Sequence, residues 1–517
     1  MPLPDSLTIA SLLAFGVLLC LPGSRRRRPT LWVLALTALA TGGVAAWSLR
    51  WEVAPALAVA LLLNFALLAN RLRHAGDPST RRPLAGVVVV TAAVAAALPY
   101  YFFPVFALPD PDGPHKVGMR HFQVVDHRRK GVLYAPADRP RTLPVTVWYP
   151  ARAGEAAWTR PYLTRRRTLD ELVSTARNFG LWGFRLTQLH SVRAHSRPGA
   201  PVAAKGGPFP VALFNHGFWS YRAQNTALME RLASHGFVVF SVAHPRDGAA
   251  VRLEDGTLVR SVPQTGPQGV GDPKAGRTFK EAAEAFTGGA GHAERLAALD
   301  TFKAALAEHR LGESARAWRA DVLAVIRALE EDPPRTVADV IARAALDRRA
   351  HLGMSFGGTT AASACQADRH CAAVVNLDGE NYHPGLFDEE LRAPMLLLLS
   401  DRKQEAPDFD PTDYAWEEWS TMGEREDIHR WRVDGLDHLG LMDLTLSARP
   451  PFHAGLFGSL DGGRALRLQN DAVIAFLRAV VRGADTGFPG RVLDRYPEIE
   501  IHDPSGVQEY VRAREEE

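Results

Sequence analysis

Cysteine is scarce in this 517-residue chain: only Cys20, Cys365 and Cys371 occur. No C-x-x-C pair or other metal-ligand spacing is present, so no metal site and no cofactor are expected. An excess of one charge sign is also missing, with 60 basic against 57 acidic residues and a net charge of +3. Nucleic-acid binders carry a basic patch or stripe, so nucleic acid is not an expected partner. Internal repeats are absent. The length exceeds what a single hydrophobic core usually reaches and implies more than one structural unit.

Charge is almost missing from four apolar stretches near the N-terminus, at about 7–21, 30–49, 53–69 and 84–106. Each approaches the ~20 residues that cross a bilayer, and four in succession are hard to bury in a small soluble domain. A cleaved signal peptide has its positive charge before the apolar run. Here Asp5 precedes the first run, and Arg25, Arg26, Arg27 and Arg28 follow it. The expected unit is therefore a multi-pass membrane anchor over 1–108 with its N-terminus outside. The first loop carries those four arginines and the third carries Arg71, Arg73, Arg81 and Arg82, which places both loops in the cytoplasm. Everything after the fourth span then lies on the extracytoplasmic side of a cell membrane. Tyr100, Tyr101, Phe102 and Phe103 suit an interfacial belt at that exit.

Residues 109–503 read as an α/β domain, and 504–517 as a charged, frayed tail. Short β-branched runs at 145–149, 211–214, 238–242, 350–353, 372–377 and 395–399 alternate with helical segments at 226–235, 317–329 and 465–481. That alternation predicts a mostly parallel sheet flanked by helices. Gly236 would end the 226–235 helix as a C′ glycine. A polar, Ala- and Glu-rich insertion at about 249–314 reads either as a cap over a site or as a peripheral helical excursion.

The segment Gly353-Met354-Ser355-Phe356-Gly357 is a G-x-S-x-G between a strand-like run and a small-residue helix. That setting is the nucleophile elbow of the α/β-hydrolase fold, with Ser355 as the nucleophile. A serine hydroxyl needs a base. In this fold the base follows the serine in the chain, and His438, in a loop after the strand-like 431–433, is the best placed. His453 lies among prolines, and His429 falls on a strand. Two carboxylates end successive strands, Asp378 and Asp401, where active-site groups of open α/β sheets collect. Asp401 abuts Arg402 and Lys403 and suits an ion pair as well. The residues alone leave the acid open between the two. Oxyanion donors are expected at the N–H groups of Phe356 and Phe218, the latter after Asn215-His216-Gly217. His216 reads as a structural hydrogen-bonder rather than a second base. Cys365 and Cys371 bracket the end of the nucleophile helix. Outside the cytoplasm they are expected to form a disulfide bracing the segment to Asp378, with free thiols the alternative.

From about residue 115 to 480 the chain resembles the plasma-type platelet-activating-factor acetylhydrolase family and its bacterial relatives. The resemblance rests on 145-VTVWYP-150, Asn215-His216-Gly217, Gly353-Met354-Ser355-Phe356-Gly357-Gly358 and Asn376-Leu377-Asp378-Gly379. Met354 departs from the histidine usual before the family's nucleophile, and the four-span N-terminus is an addition to the plasma enzyme's pattern. The resemblance implies that Asp378, 23 residues beyond Ser355, is the acid rather than Asp401. It also supports His438 as base and Phe218 with Phe356 as oxyanion donors. The expected activity is serine carboxylic-ester hydrolysis through an acyl-enzyme on lipid-like or short-acyl, phospholipid-like esters. Polyester hydrolysis of the cutinase kind is a neighbour in the same class. A membrane transport or sensing protein using the hydrolase domain as a binding module is the alternative from another class. Intramembrane charges usually mark transport pathways, and their scarcity favours anchoring.

Overall fold

The computed structural model describes residues 3–21, 28–72, 82–152, 160–262, 273–289, 291–401 and 410–515. Arg25, Arg26, Arg27, Arg73, His74, Arg81, Arg402 and Lys403 lie outside them.

Four helices open the chain: α1 (Leu3–Cys20), α2 (Arg28–Trp47), α3 (Ala54–Leu72) and α4 (Arg82–Phe102). All four are long and apolar enough to cross a membrane. Their faces meet through small residues. A Cβ placed on Gly86 would come within 2.7 Å of the Gly16 carbonyl, so α1 and α4 approach as closely as glycines allow. Thr8 and Thr41 hydroxyls lie 2.8 Å apart, and Asn64 donates to the Ala35 carbonyl at 2.9 Å. Charge is present at one end of the bundle: buried Arg50 pairs with Asp5 at 2.8 Å and with Glu52 at 3.5 Å. This cluster joins the start of α1 to the α2–α3 turn.

A ten-stranded sheet forms the rest of the core. Its strands are β1 (Lys116–Lys130), β2 (Pro140–Ala151), β3 (Arg197–Pro198), β4 (Phe209–Asn215), β5 (Val238–Val242), β6 (Ala344–Met354), β7 (Cys371–Leu377), β8 (Met395–Leu399), β9 (Ile428–Val433) and β10 (Ile499–Ile501). The order across the sheet is β10-β9-β8-β7-β6-β4-β5-β2-β1-β3. The run from β5 through β4 and β6 to β9 is parallel throughout. Both faces are buried, so the strands read as continuous apolar runs. Along β4, Ala212 and Phe214 join one core while Val211 and Leu213 join the other. The first core is closed by α5 (Thr226–Ser234) and α10 (Gly462–Val480), the second by α8 (Arg310–Glu331). Gly236, at φ +89°, follows the end of α5.

The long antiparallel β1 went unread in the sequence because its outer positions alternate with charge. The insertion splits into a short hairpin, α6 (Pro273–Thr287) and α7 (His292–Glu308), and α8 begins at Arg310, inside the expected insertion. Phe286 and Phe302 pack these helices against Ala361 and Leu397, on the flank of α9 (Phe356–Ala367). The tail is not frayed through Glu515. Ser505–Glu515 forms α11, with Val507 buried and Arg512 donating to the Ser420 carbonyl at 3.1 Å.

Candidate active site

Because β4 and β6–β9 run parallel, their C-terminal ends share one edge of the sheet. The residues just beyond those ends are 216–218, Ser355, Asp378, Ser400 with Asp401, and the loop carrying His438.

Ser355 sits between β6 and α9 at φ +58°, ψ −129°, a conformation that side chains rarely adopt. Its neighbours make the turn possible, since a side chain on Gly353 would collide with the Gly357 carbonyl. The Ser355 N–H donates to the Leu377 carbonyl at 2.8 Å, which sets the serine beside the strand that ends at Asp378. The N-terminus of α9 lies behind it, where the partial positive charge of the helix favours negative charge.

His438 Nδ1 donates to Asp378 Oδ2 at 2.6 Å. The carboxylate is buried, while the His438 side chain is 41% exposed. Asp378 also accepts from the Ser400 N–H at 2.9 Å and the Ser400 hydroxyl at 2.7 Å. Three donors thus converge on this one carboxylate. With Nδ1 protonated and held, Nε2 is the nitrogen available to take a proton. Asp401 does a different job. Its Oδ2 accepts from Gly435 N–H at 2.9 Å, and its own N–H donates to Leu436 O at 2.7 Å. It thereby fixes the turn that leads to His438.

Phe356 opens α9, so its N–H belongs to the helix's first, unsatisfied turn. On either side of Phe218 the N–H groups are committed: Gly217 to Gln224 Oε1 at 2.9 Å, and Trp219 to Asp247 O at 2.8 Å. A Cβ on Gly217 would lie 3.3 Å from Ser355 Cβ, so this loop rests against Ser355. The rings of Phe218 and Phe356 meet edge-on at 5.2 Å, and Trp318 stacks parallel to Phe218 at 6.1 Å. These rings form an apolar wall beside Ser355.

Both ring nitrogens of His216 are engaged in hydrogen bonds. Its Nδ1 donates to Gly217 O at 2.8 Å, and its Nε2 accepts from the His244 N–H at 3.3 Å. Burial, with His244 close by, holds its pKa down to about 3. Cys365 and Cys371 are joined as a disulfide, and Cys20 lies outside it. Among the described residues no group of three His, Cys, Asp or Glu is placed to hold a metal.

Several supporting residues carried no sequence signal. Ser400 follows the 395–399 strand and belongs to no motif. Asn225 donates to Leu441 O at 2.6 Å and so ties the Gly217 loop to the His438 loop. His244 stacks on Trp318 at 3.9 Å, with Nδ1 2.9 Å from Asp321 and Nε2 3.1 Å from Asn215 Oδ1. Burial raises the Asp321 carboxyl, but Arg141 and its hydrogen bonds outweigh this and hold it well below its ordinary value.

A family model described as platelet-activating factor acetylhydrolase, isoform II, matches residues 100–255. Over that stretch the chain is similar to this family. It is 25% identical over 315 residues to the platelet-activating factor acetylhydrolase of Cavia porcellus, covering 58% of this chain and 63% of that one. It is 25% identical over 178 residues to a probable 1-alkyl-2-acetylglycerophosphocholine esterase of Arthroderma benhamiae, covering 33% of this chain and 44% of that one. The chain thus spans less than two thirds of the length of either curated relative. Among solved structures, a ferulic acid esterase from Streptomyces cinnamoneus superposes with a TM-score of 0.56 at 22% identity, covering 77% of this chain and 99% of that one. That likeness supports the α/β-hydrolase fold.

Proposed function

We propose that this acetylhydrolase-like chain is a membrane-anchored serine carboxylic-ester hydrolase. The observation that carries the reading is the Asp378–His438 hydrogen bond at the strand edge that also holds the strained Ser355. In the proposed mechanism His438 Nε2 takes the Ser355 proton and Oγ attacks the ester carbonyl. The Phe218 and Phe356 N–H groups hold the developing oxyanion. His438 then protonates the leaving alcohol. Water, activated by the same imidazole, attacks the acyl-enzyme and releases the acid and free Ser355. Asp378 keeps the imidazole in the tautomer that does this.

The relatives' names and the four apolar helices favour lipid-like esters with short acyl chains, phospholipid-like in headgroup. The flanking arginines favour a multi-pass cell-membrane protein with its hydrolase domain on the extracytoplasmic side. The test is fluorophosphonate labelling of membranes holding wild type or Ser355→Ala, followed by turnover of short p-nitrophenyl esters. Labelling and turnover are expected to vanish together in the variant. Unchanged turnover would remove Ser355 as nucleophile. Protease added to intact cells should cut the hydrolase domain; protection until lysis would reverse the orientation.

A further inference from the structure

The sheet edge opposite Ser355 holds the N-terminal ends of the parallel strands. His235 lies there, between the end of α5 and the start of β5. It lines a cavity of about 280 Å³ together with Pro114, His115, Arg478, Arg482 and Ala484. Four of those six residues are basic and none is acidic. Three separate parts of the chain supply them: the stretch entering β1, the turn after α5, and the end of α10 with the turn beyond it. The proposed mechanism uses none of them.

Local structure holds these walls in place. The His115 N–H donates to Ser234 O at 3.1 Å and the Gly113 N–H to Ser234 Oγ at 3.1 Å, which ties the stretch entering β1 to α5. The His115 ring stands edge-on to Phe209 at 5.5 Å. Arg482 donates through Nη1 to the carbonyls of His235 and Gly236, and a side chain on Gly236 would collide with that guanidinium. An adjoining cavity shares His235 and Arg478 and contains three acids, which are committed elsewhere. Asp112 accepts from Arg231 at 2.7 Å and from His235 Nε2 at 2.9 Å. Asp471 pairs with Arg231 at 2.6 Å and Arg495 at 3.0 Å, and Asp485 accepts from the Gly487 N–H at 3.1 Å. Among the described residues neither the Arg478 guanidinium nor the His115 ring nitrogens have a hydrogen-bond partner. The cations repel one another. Burial and then Arg478 hold the Arg482 pKa down, and burial, then Arg482 and His235, do the same to His115. Arg478 lies in the last turn of α10, where the helix dipole favours a cation. That accounts for one guanidinium and leaves Arg482 and His115 without a carboxylate.

A halide or a carboxylate offsets one charge. A phosphate offers two charges and acceptors in several directions, and guanidinium groups match it bidentately. The cavity sits at the small end of the roughly 300–1,000 Å³ that small-molecule sites occupy. We infer that the pocket formed by His115, His235, Arg478 and Arg482 binds a phosphate dianion, free or as the end group of a small soluble monoester. The site is separate from Ser355, and the inference does not depend on the ester-hydrolase reading.

The test is isothermal titration of the detergent-solubilised full chain at constant ionic strength. Inorganic phosphate is expected to bind at one site per chain with a Kd on the order of 0.1–1 mM, while chloride and acetate give no saturable heat. Arg478→Gln should weaken phosphate at least about tenfold, because it removes a charge-assisted contact. Arg467→Gln takes the same charge from an exposed position of α10 and should leave the affinity within about twofold. Thermal unfolding midpoints within about 2 °C of wild type show that a variant is folded. Where Arg478→Gln fails that check, His115→Gln reads the site instead, with the same expected loss. Absence of saturable phosphate heat, equal binding of chloride, or equal weakening by the Arg467 and Arg478 variants overturns the proposal. Displacement of phosphate by sn-glycerol 3-phosphate assigns the site to monoesters and failure to displace assigns it to the free ion; either supports it.

Discussion

Ser400 donates both its backbone N–H and its hydroxyl to Asp378, at 2.9 and 2.7 Å, so the carboxylate is held from behind while His438 occupies its front. A hydrogen bond to a charged group contributes roughly 1.5–3 kcal/mol. Ser400→Ala removes the hydroxyl and leaves the N–H contact. The expected outcome is a fall in kcat of about 10- to 100-fold with KM nearly unchanged, measured on a short p-nitrophenyl ester. A change confined to KM would contradict this role.

The two strand-end aspartates should differ sharply. Asp378→Asn leaves the geometry in place but offers His438 the wrong tautomer, which in serine triads costs about 10⁴ in kcat. Asp401→Ala loosens the Gly435 turn instead and is expected to cost less than about tenfold, with a lower unfolding midpoint. Steady-state kinetics on both variants decide the assignment; a larger loss from Asp401→Ala would reverse it.

Stability should depend on pH through His216. Its pKa is about 3 in the folded chain against an ordinary 6.5, so between those values the unfolded state binds the proton and the folded state does not. Stability is then fully present above about pH 6.5 and falls as pH drops toward 3, by about 1.4 kcal/mol per pH unit for one proton. His383, held down to about 4 chiefly by burial, acts with the same sign. Urea unfolding of the detergent-solubilised chain at pH 7, 5.5 and 4.5 should show the decline, and His216→Asn should flatten it. An equal slope in the variant would exclude His216 as a contributor.

The disulfide should be a local brace. Cys365 and Cys371 close a loop of only six residues, for which chain entropy predicts about 2 kcal/mol. Reduction, or Cys371→Ala, is expected to lower the unfolding midpoint by a few degrees while Ser355 still labels with fluorophosphonate. Alkylation of the non-reduced chain, read by mass, should modify Cys20 alone.

The elbow was legible because its chemistry is local. A strained strand-to-helix turn needs small residues on both sides of Ser355, and the sequence displays them within five positions. The parallel strands were legible for a similar reason, since burial on both faces leaves uniform apolar runs such as 395–399. The buried Arg50–Asp5–Glu52 cluster was not legible. Arg50 and Asp5 are 45 residues apart, and nothing in either segment announces the other.

The same division holds for the site. Sequence by itself determined the long apolar stretches, the alternation of strand and helix, the small-residue elbow at Ser355, and a short list of candidate bases and acids. Each of those is set by neighbours within a few residues. The residues alone left Asp378 and Asp401 open, the family resemblance favours Asp378, and the Asp378–His438 contact at 2.6 Å is set by tertiary structure. So were the Ser400 contacts to Asp378 and the Asn225–Leu441 tie. Those contacts join positions far apart in the chain. Their partners are chosen by the parallel order of β4 and β6–β9, which brings distant loops to one edge of the sheet.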